Sequence, residues 1–348
     1  MLHIMIMAGG KGSRFWPKSR KSSPKQFLSI INNQALMDDT LDRIESLTLP
    51  QHRWILGNNE HAKQLIPYEN RVPKENILKE PFGKNTAACI GWAAFEALKK
   101  DPDAICVILP ADAWIHPTDL FQETLKKAVK EVEENNSVVT IGIPPTSPHT
   151  GYGYIEAKNS SPGIVTPIQR FVEKPNFNTA KAYVESGHYF WNAGIFVWKA
   201  SKIVECLKEY LPNHFNIIES FTQKNIIQPD DIAPYYEKLE NISIDYAIME
   251  KISDDIKLIP ANFNWSDIGN WSALEQFLPK DTHNNAVKGQ LIASNSSNNI
   301  VFSEKRSVAL CNINDLIIVD SEDALLILPK ESDQDIKKLY DKLDPKLT

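Results

Sequence analysis

Three glycines and the cations Arg14 and Lys25 lie within the first 25 residues in a spacing that suits phosphate chemistry. The stretch Gly9-Gly10-Lys11-Gly12-Ser13-Arg14-Phe15-Trp16-Pro17 follows directly on an apolar run. Ser23-Pro24-Lys25-Gln26-Phe27 then delivers a second cation eleven residues after Arg14. A glycine-rich loop at the carboxyl end of a strand lets backbone N–H groups approach phosphate oxygens, because no Cβ intervenes and positive φ is allowed. The loop fits neither GxGxxG nor GxxxxGK[ST], so spacing alone makes it neither a dinucleotide fingerprint nor a Walker loop. Pro24 restricts the backbone ahead of Lys25 and helps to aim its ammonium. Two cations over a glycine nest read as a polyphosphate site. A ligand-free turn beside a solvated basic face is the alternative, and Lys18, Arg20 and Lys21 are assigned to that face.

The elements that must position these groups alternate between strand and helix through the first 200 residues, the pattern of a βαβ sheet with helices on its faces. Ile4 to Met7, Trp54 to Leu56, Ile105 to Leu109 and Val138 to Ile141 are short apolar runs, as expected of strands buried on both faces. From Thr118 to Asn135, Phe121, Leu125, Ala128, Val129 and Val132 form one apolar stripe, which predicts an amphipathic helix. Strands are expected at Ile168 to Val172, Phe190 to Trp198 and Ile256 to Ile259, with helices from Thr179 to Ser186 and over much of Ser201 to Lys251. Beyond Val287 the texture changes to apolar runs about eight residues apart, which suits a few coils of a β-solenoid or a small antiparallel unit. Ser332 is placed as the N-cap of a last helix whose Ile336, Leu339, Tyr340 and Leu343 share a face. The fold class is therefore α/β, with a mixed, mostly parallel, Rossmann-like sheet over residues 1–281. A small solenoid-like unit with a terminal helix is expected over 282–348.

Composition narrows the function classes. The 348 residues carry 38 basic and 44 acidic side chains, a net charge of −6 that argues against a broad nucleic-acid binder. Cys89, Cys106, Cys206 and Cys311 are scattered, without the close pairs of a zinc site or the density of a disulfide scaffold. No apolar stretch approaches the roughly 20 residues needed to span a bilayer, and no basic segment precedes Leu2 to Ala8. A cytoplasmic protein without membrane or nucleic-acid partners is expected.

The string GGKGSRFWPKSRKSSPKQF resembles the signature of the sugar-nucleotide pyrophosphorylases, specifically the bacterial mannose-1-phosphate guanylyltransferases. Further matches follow in order: Glu80-Pro81-Phe82-Gly83-Lys84-Asn85-Thr86-Ala87, Leu109-Pro110-Ala111-Asp112, Gly151 to Ile155, Phe171-Val172-Glu173-Lys174-Pro175, Trp191-Asn192-Ala193-Gly194-Ile195-Phe196, Ser243 to Ala247 and Trp265 to Trp271. PKQF and WNAGIF separate this resemblance from the thymidylyl- and uridylyltransferase relatives. It implies a GT-A-like nucleotidyltransferase domain that joins GTP to mannose 1-phosphate, giving GDP-mannose and diphosphate.

Roles follow from the same resemblance. Arg14 and Lys25 would be the catalytic cations. Ala8, Gly9, Gly10, Gly12, Ser13, Glu80, Asn85, Thr86, Pro110 and Ala111 would bind the nucleotide. Tyr152, Gly153, Glu173, Lys174, Asn192 and Asp245 would hold the sugar phosphate. Asp112 and Asp267 would hold Mg²⁺, which usually takes one or two carboxylates plus water and phosphate oxygens. The chain departs from the family where Pro-Ala-Asp-His is Pro110-Ala111-Asp112-Ala113, so an imidazole next to a metal carboxylate is missing. Such supporting groups can matter about 10–100-fold. The C-terminal β unit shows no catalytic set, and packing or self-association, including a homodimer, is its expected task. A single activity, without mannose 6-phosphate isomerisation, is expected. Another sugar 1-phosphate or nucleotide, or a non-catalytic sensor, stands as the alternative.

Overall fold

The computed structural model describes residues 1–10 and 12–348, which divide into two compact units. The first comprises Met1–Gly9, Leu41–Ala111 and Ile115–Trp265; the second comprises Gly10–Thr40, Asp112–Trp114 and Ser266–Thr348. The expected junction at 281–282 falls inside the last of these stretches.

The first unit is built on one mixed sheet. Strands β1 (Leu2–Met7), β2 (Arg53–Asn58), β3 (Ile77–Glu80) and β4 (Ile105–Pro110) lie in the order β3-β2-β1-β4 and run parallel. Ile4, Met5 and Ile6 have no exposure, which is why the run carries no polar alternation. Strand Tyr189–Lys199 follows antiparallel to β4, then Val138–Ile143, which pairs in parallel with Ile256–Pro260. The short strands Tyr154–Glu156 and Arg170–Val172 extend the sheet beside Tyr189–Trp191. Helix Thr118–Asn135 forms as its stripe predicts, burying Phe121, Leu125, Ala128 and Val132 and ending on Asn136 at φ 51°. Helix Phe177–Ser186 begins two residues earlier than expected because the Asn176 side chain accepts from the Thr179 amide. Trp92, on helix Asn85–Lys100, is core as its apolar surroundings imply. Among the described residues no helix is long and apolar enough to cross a membrane.

The second unit joins the glycine loop to the C-terminal region in one core. Phe15, Trp16, Ile30 and Leu36 pack with Ile268, Trp271, Leu274, Ile300, Phe302, Ile317, Val319, Ile336 and Tyr340. The C-terminal strands Ala286–Lys288, Ile300–Phe302 and Leu316–Asp320 stack in parallel, as do Leu291–Ser294 and Val308–Cys311, which is solenoid geometry. Strand Leu325–Pro329 closes the stack in antiparallel fashion. Corners are stitched by side chains one coil apart: Asn295 to Asn312 at 2.6 Å, Asn298 to Asp315 at 2.6 Å and Ser297 Oγ to Asn314 at 2.9 Å, each pair 17 residues apart. Asn295, Asn298, Asn312 and Asp315 all have positive φ, a conformation that short polar side chains tolerate. Ser332 caps no helix. It lies within a 3-10 segment, Lys330–Asp335, followed by the five-residue helix Ile336–Tyr340, and Leu339 is exposed while Ile336 and Tyr340 are buried.

Candidate active site

Within the second unit Asp112 and the Asp267 backbone meet the Lys25 ammonium. Gly12 sits at φ 62°, and the 3-10 turn Ser13–Phe15 that follows presents Arg14. A Cβ on Gly12 would lie 2.6 Å from Lys25 Cβ and 3.0 Å from Lys25 N, so the glycine is where the two signature segments touch. Lys25 opens a second 3-10 turn, Lys25–Phe27, after Pro24, and Gln26 Nε2 donates to Gly10 O at 3.2 Å. The Lys25 side chain is nearly buried, with Nζ 5.5 Å from the centre of the Phe15 ring. It donates to Asp112 Oδ2 at 2.9 Å and to the backbone carbonyl of Asp267 at 2.5 Å. One cation therefore gathers both proposed metal carboxylate residues. The Asp112 side chain keeps 38% exposure, so the carboxylate is open to a ligand while held at one oxygen.

The loop carrying Asp267 is itself anchored. Ile268 has φ 44° with no exposure, a strained conformation for a β-branched residue. Its amide donates to Ser266 Oγ at 3.1 Å, and Trp271 Nε1 donates to Trp16 O at 3.0 Å. Phe15, Trp271 and Phe302 pack in succession with ring centres 5.1 and 5.2 Å apart, the first pair tilted and the second edge-on. Lys18 and Arg20, expected on a solvated face, are instead mostly enclosed: their side chains are 19% and 14% exposed, pair with Glu304 and Asp323 and lie over the Phe302 and Trp16 rings.

The remaining candidates belong to the first unit. Ala8 N donates to Leu56 O and Ala111 N to Met7 O, so these amides extend the sheet ladder and Gly9 is the first exposed position of the loop. Pro110 ends β4. Glu80, at the end of β3, is 5% exposed, and its Oε1 is buried without a hydrogen bond. Burial pushes its carboxyl up to about 8. Asn85 has φ 65° and its side chain accepts from the Thr86 amide, while the Thr86 hydroxyl accepts from Ile244 N at 2.8 Å. Thr86 thus fixes the segment leading into Asp245.

Around the strand Tyr189–Lys199, the sugar-side candidates form a second cluster. Asn192 lies at a register shift, donates through Nδ2 to Asp245 Oδ1 at 2.9 Å and takes its backbone partner from Gly153 O. Asp245 opens a π-helical turn, Asp245–Met249, a geometry that recurs at functional sites. Burial, then the charge of Glu173, pushes its carboxyl up to about 6. Glu173 forms an ion pair with Lys174, and the Glu173 amide donates to Glu250 Oε1 at 3.0 Å. A Cβ on Gly153 would collide with Glu173 Oε2. Tyr152 stacks on His149 at 3.9 Å and meets Trp191 and Trp265 edge-on.

These geometries can be set against known proteins. The nucleotidyl transferase family model matches residues 3–284, and a model of the MannoseP isomerase/GMP-like beta-helix domain matches residues 289–343. A mannose-1-phosphate guanylyltransferase of Klebsiella pneumoniae is 35% identical over 97% of this chain and 73% of its own. The chain belongs to the mannose-1-phosphate guanylyltransferase family of nucleotidyl transferases. A solved structure from Thermus thermophilus, described as a mannose-1-phosphate geranyltransferase, superposes on this family member with a TM-score of 0.89, at 29% identity over 98% of each chain. A Helicobacter pylori structure described as a mannose-6-phosphate isomerase covers 76% of this chain and 99% of its own, at 26% identity and a TM-score of 0.62.

For this guanylyltransferase-family chain, sequence reasoning missed His149, Ile268 and the aromatic ladder behind Lys25. Tryptophans inside a recognised motif were a signal for the ladder. Nothing in the sequence pointed to left-handed backbone at an isoleucine. Ala113 is buried beside Asp112 in the chain, in the second unit.

Proposed function

We propose that the chain transfers the guanylyl group of GTP to mannose 1-phosphate, releasing diphosphate and forming GDP-mannose. The observation that carries this reading is the Lys25 ammonium, held between the Asp112 carboxylate and the Asp267 carbonyl on a turn packed against Gly12. A phosphate monoester has a second pKa of about 6, so an oxygen of mannose 1-phosphate attacks the α-phosphorus without a general base. The bond from that phosphorus to the bridging oxygen breaks, and the electron pair leaves with diphosphate. Repulsion between anions and charge on the leaving group set the barrier, so fixed cations lower it. Arg14 takes the β- and γ-phosphates, and Lys25 sits between the α-phosphate and the sugar phosphate. Gly9, Gly10, Gly12 and Ser13 line the phosphates. Glu80, Asn85 and Thr86, with Ala8, Pro110 and Ala111 behind them, shape the guanosine side. Tyr152, Gly153, Glu173, Asn192 and Asp245 read the hexose, and Lys174 its phosphate.

The donor set fits a hard divalent cation of the Mg²⁺ type. Asp112 and Asp267 supply oxygen ligands. Among the described residues no group of three or more His, Cys, Asp or Glu converges as an all-protein cage would, which leaves the other positions to phosphate and water. When bound, Mg²⁺ would supply positive charge shared by both substrates. Residues 1–281 are proposed as the catalytic domain and 282–348 as a scaffold that also suits a homodimer contact, in a cytoplasmic enzyme.

The test crosses GTP, ATP, UTP and dTTP with mannose 1-phosphate, glucose 1-phosphate and a heptose 1-phosphate in the presence of Mg²⁺, reading diphosphate release. Release with GTP and mannose 1-phosphate alone is expected. Release with another pair only, or none with GTP bound, overturns the assignment. Mannose 6-phosphate isomerisation, assayed on the same preparation, is expected to be absent.

A further inference from the structure

The hexose side contains a tyrosine with glycine on either flank, Gly151-Tyr152-Gly153. Glycine leaves the backbone a wide choice of conformations, so the tripeptide alone does not fix where the Tyr152 ring points. Neighbouring rings do. Trp191 and Trp265 meet it edge-on at 5.1 and 5.6 Å, and His149 lies flat against it, with ring centres 3.9 Å apart and planes inclined by 16°. No step of the proposed reaction uses His149, yet the imidazole is tied down at both ends of the loop. Its Nδ1 accepts from the Gly151 amide at 3.1 Å, and the His149 carbonyl accepts from the Tyr154 hydroxyl at 2.9 Å. Tyr154 is fully buried and pairs with Trp191 in the sheet, so the anchor is a rigid one. The loop closes tightly over the ring: a Cβ on Gly151 would stand 2.8 Å from His149 Cε1. On the far side of Tyr152, the Gly153 carbonyl accepts from the Asn192 amide at 2.8 Å. All of these residues belong to the first unit.

We propose that His149 is a positioning residue for sugar recognition: its imidazole, pinned by the Gly151 amide, sets the plane of the Tyr152 ring before mannose 1-phosphate arrives. This rests on the proposed function, which puts Tyr152 and Gly153 against the hexose. A side chain ordered in the free protein need not be immobilised when the ligand binds, and that saving appears as affinity. Every contact described for His149 lies on the hexose side, so the saving falls on the sugar phosphate and leaves the nucleotide alone.

The test is steady-state kinetics on the full chain with two replacements that separate the ring from the acceptor. His149→Asn keeps an oxygen for the Gly151 amide and removes the stacked ring. It is expected to raise the KM for mannose 1-phosphate by about tenfold, the upper end of what ordering one side chain costs, while the KM for GTP and the melting temperature hold. His149→Phe keeps a flat ring over Tyr152 and is expected to recover most of that loss. In the Tyr152→Ala background His149→Asn is expected to have no further effect, whereas a residue that only stabilised the loop would exert its effect in either background. An unmoved KM, a phenylalanine variant no better than asparagine, or equal rises in both backgrounds overturns the proposal and leaves the proposed function standing. If the wild-type chain releases no diphosphate from GTP and mannose 1-phosphate, the proposed function fails by itself. The same variants are then compared on mannose 1-phosphate affinity by calorimetry, and absence of binding to the wild-type chain overturns both.

Discussion

Replacing Gly12 by alanine adds one carbon at the point where the glycine loop meets Lys25. That carbon would stand 2.6 Å from Lys25 Cβ and 3.0 Å from Lys25 N. Ordinary carbon contact needs about 3.5–4.0 Å, so the Lys25 backbone must move by about 1 Å, because neither atom is the far end of a flexible side chain. The substituted residue would also sit at φ 62°, which costs an L-residue about 1–2 kcal/mol. The stability loss is therefore small, a melting temperature lower by a few degrees. Turnover should suffer more: Nζ is held by two oxygens at 2.9 and 2.5 Å, and a misplacement of about 1 Å can cost about 10²-fold. The assay is diphosphate release at saturating GTP and mannose 1-phosphate, with circular dichroism to confirm the fold. Gly12→Ala is expected to approach Lys25→Ala in kcat, and Lys25→Ala itself to lose about 10²-fold or more. A Gly12→Ala enzyme turning over within threefold of wild type would refute the reasoning.

Other outcomes follow from the same geometry. Asp267→Asn leaves the backbone carbonyl on Lys25 intact and is expected to raise the Mg²⁺ concentration for half-maximal rate by about tenfold or more; an unchanged Mg²⁺ dependence excludes that carboxylate as a ligand. Gly153→Ala pushes against the buried Glu173 carboxylate, so the KM for mannose 1-phosphate should rise while that for GTP holds, as steady-state kinetics with each substrate varied will show. Glu80 keeps its proton in the folded state up to about pH 8 and loses it near 4.5 when unfolded. Its contribution to stability is therefore complete below pH 4.5 and lost as pH rises toward 8, on the order of 3 kcal/mol between pH 5 and 8. Melting curves across that range should fall less steeply for Glu80→Gln than for wild type, and parallel slopes would remove Glu80 as the cause.

The sheet was legible because its strands are buried on both faces and read as unbroken apolar runs, as at Ile4 to Ile6. The candidate site residues were legible through motif resemblance and strand-end position. What the sequence could not show is that Phe15 and Trp16 share a core with Phe302 and Ile336. A long-range hydrophobic contact leaves no local period, and each of these residues alone is an ordinary apolar side chain. The solenoid was read from strands about eight residues apart, yet its repeat is carried by polar corners at 17 residues, Asn295 to Asn312 and Asn298 to Asp315. That signal was present in asparagines, where an apolar period does not look. The misplaced Ser332 cap has a simpler cause: the 3-10 turn carries on through it, so its side chain meets no helix start.

The partition of the chain also bears on synthesis. Gly10–Thr40 emerges from the ribosome well before Ser266–Thr348, yet the core that immobilises it is completed by that later stretch. While the strands of the first unit can pair as they appear, the signature loop stays without its hydrophobic partners until the last coil and helix have been made. Domains generally fold as units during translation, and a unit whose pieces lie more than 200 residues apart must wait for the later piece. A nascent chain stalled before Phe302 would therefore hold a formed sheet and an unsecured phosphate loop.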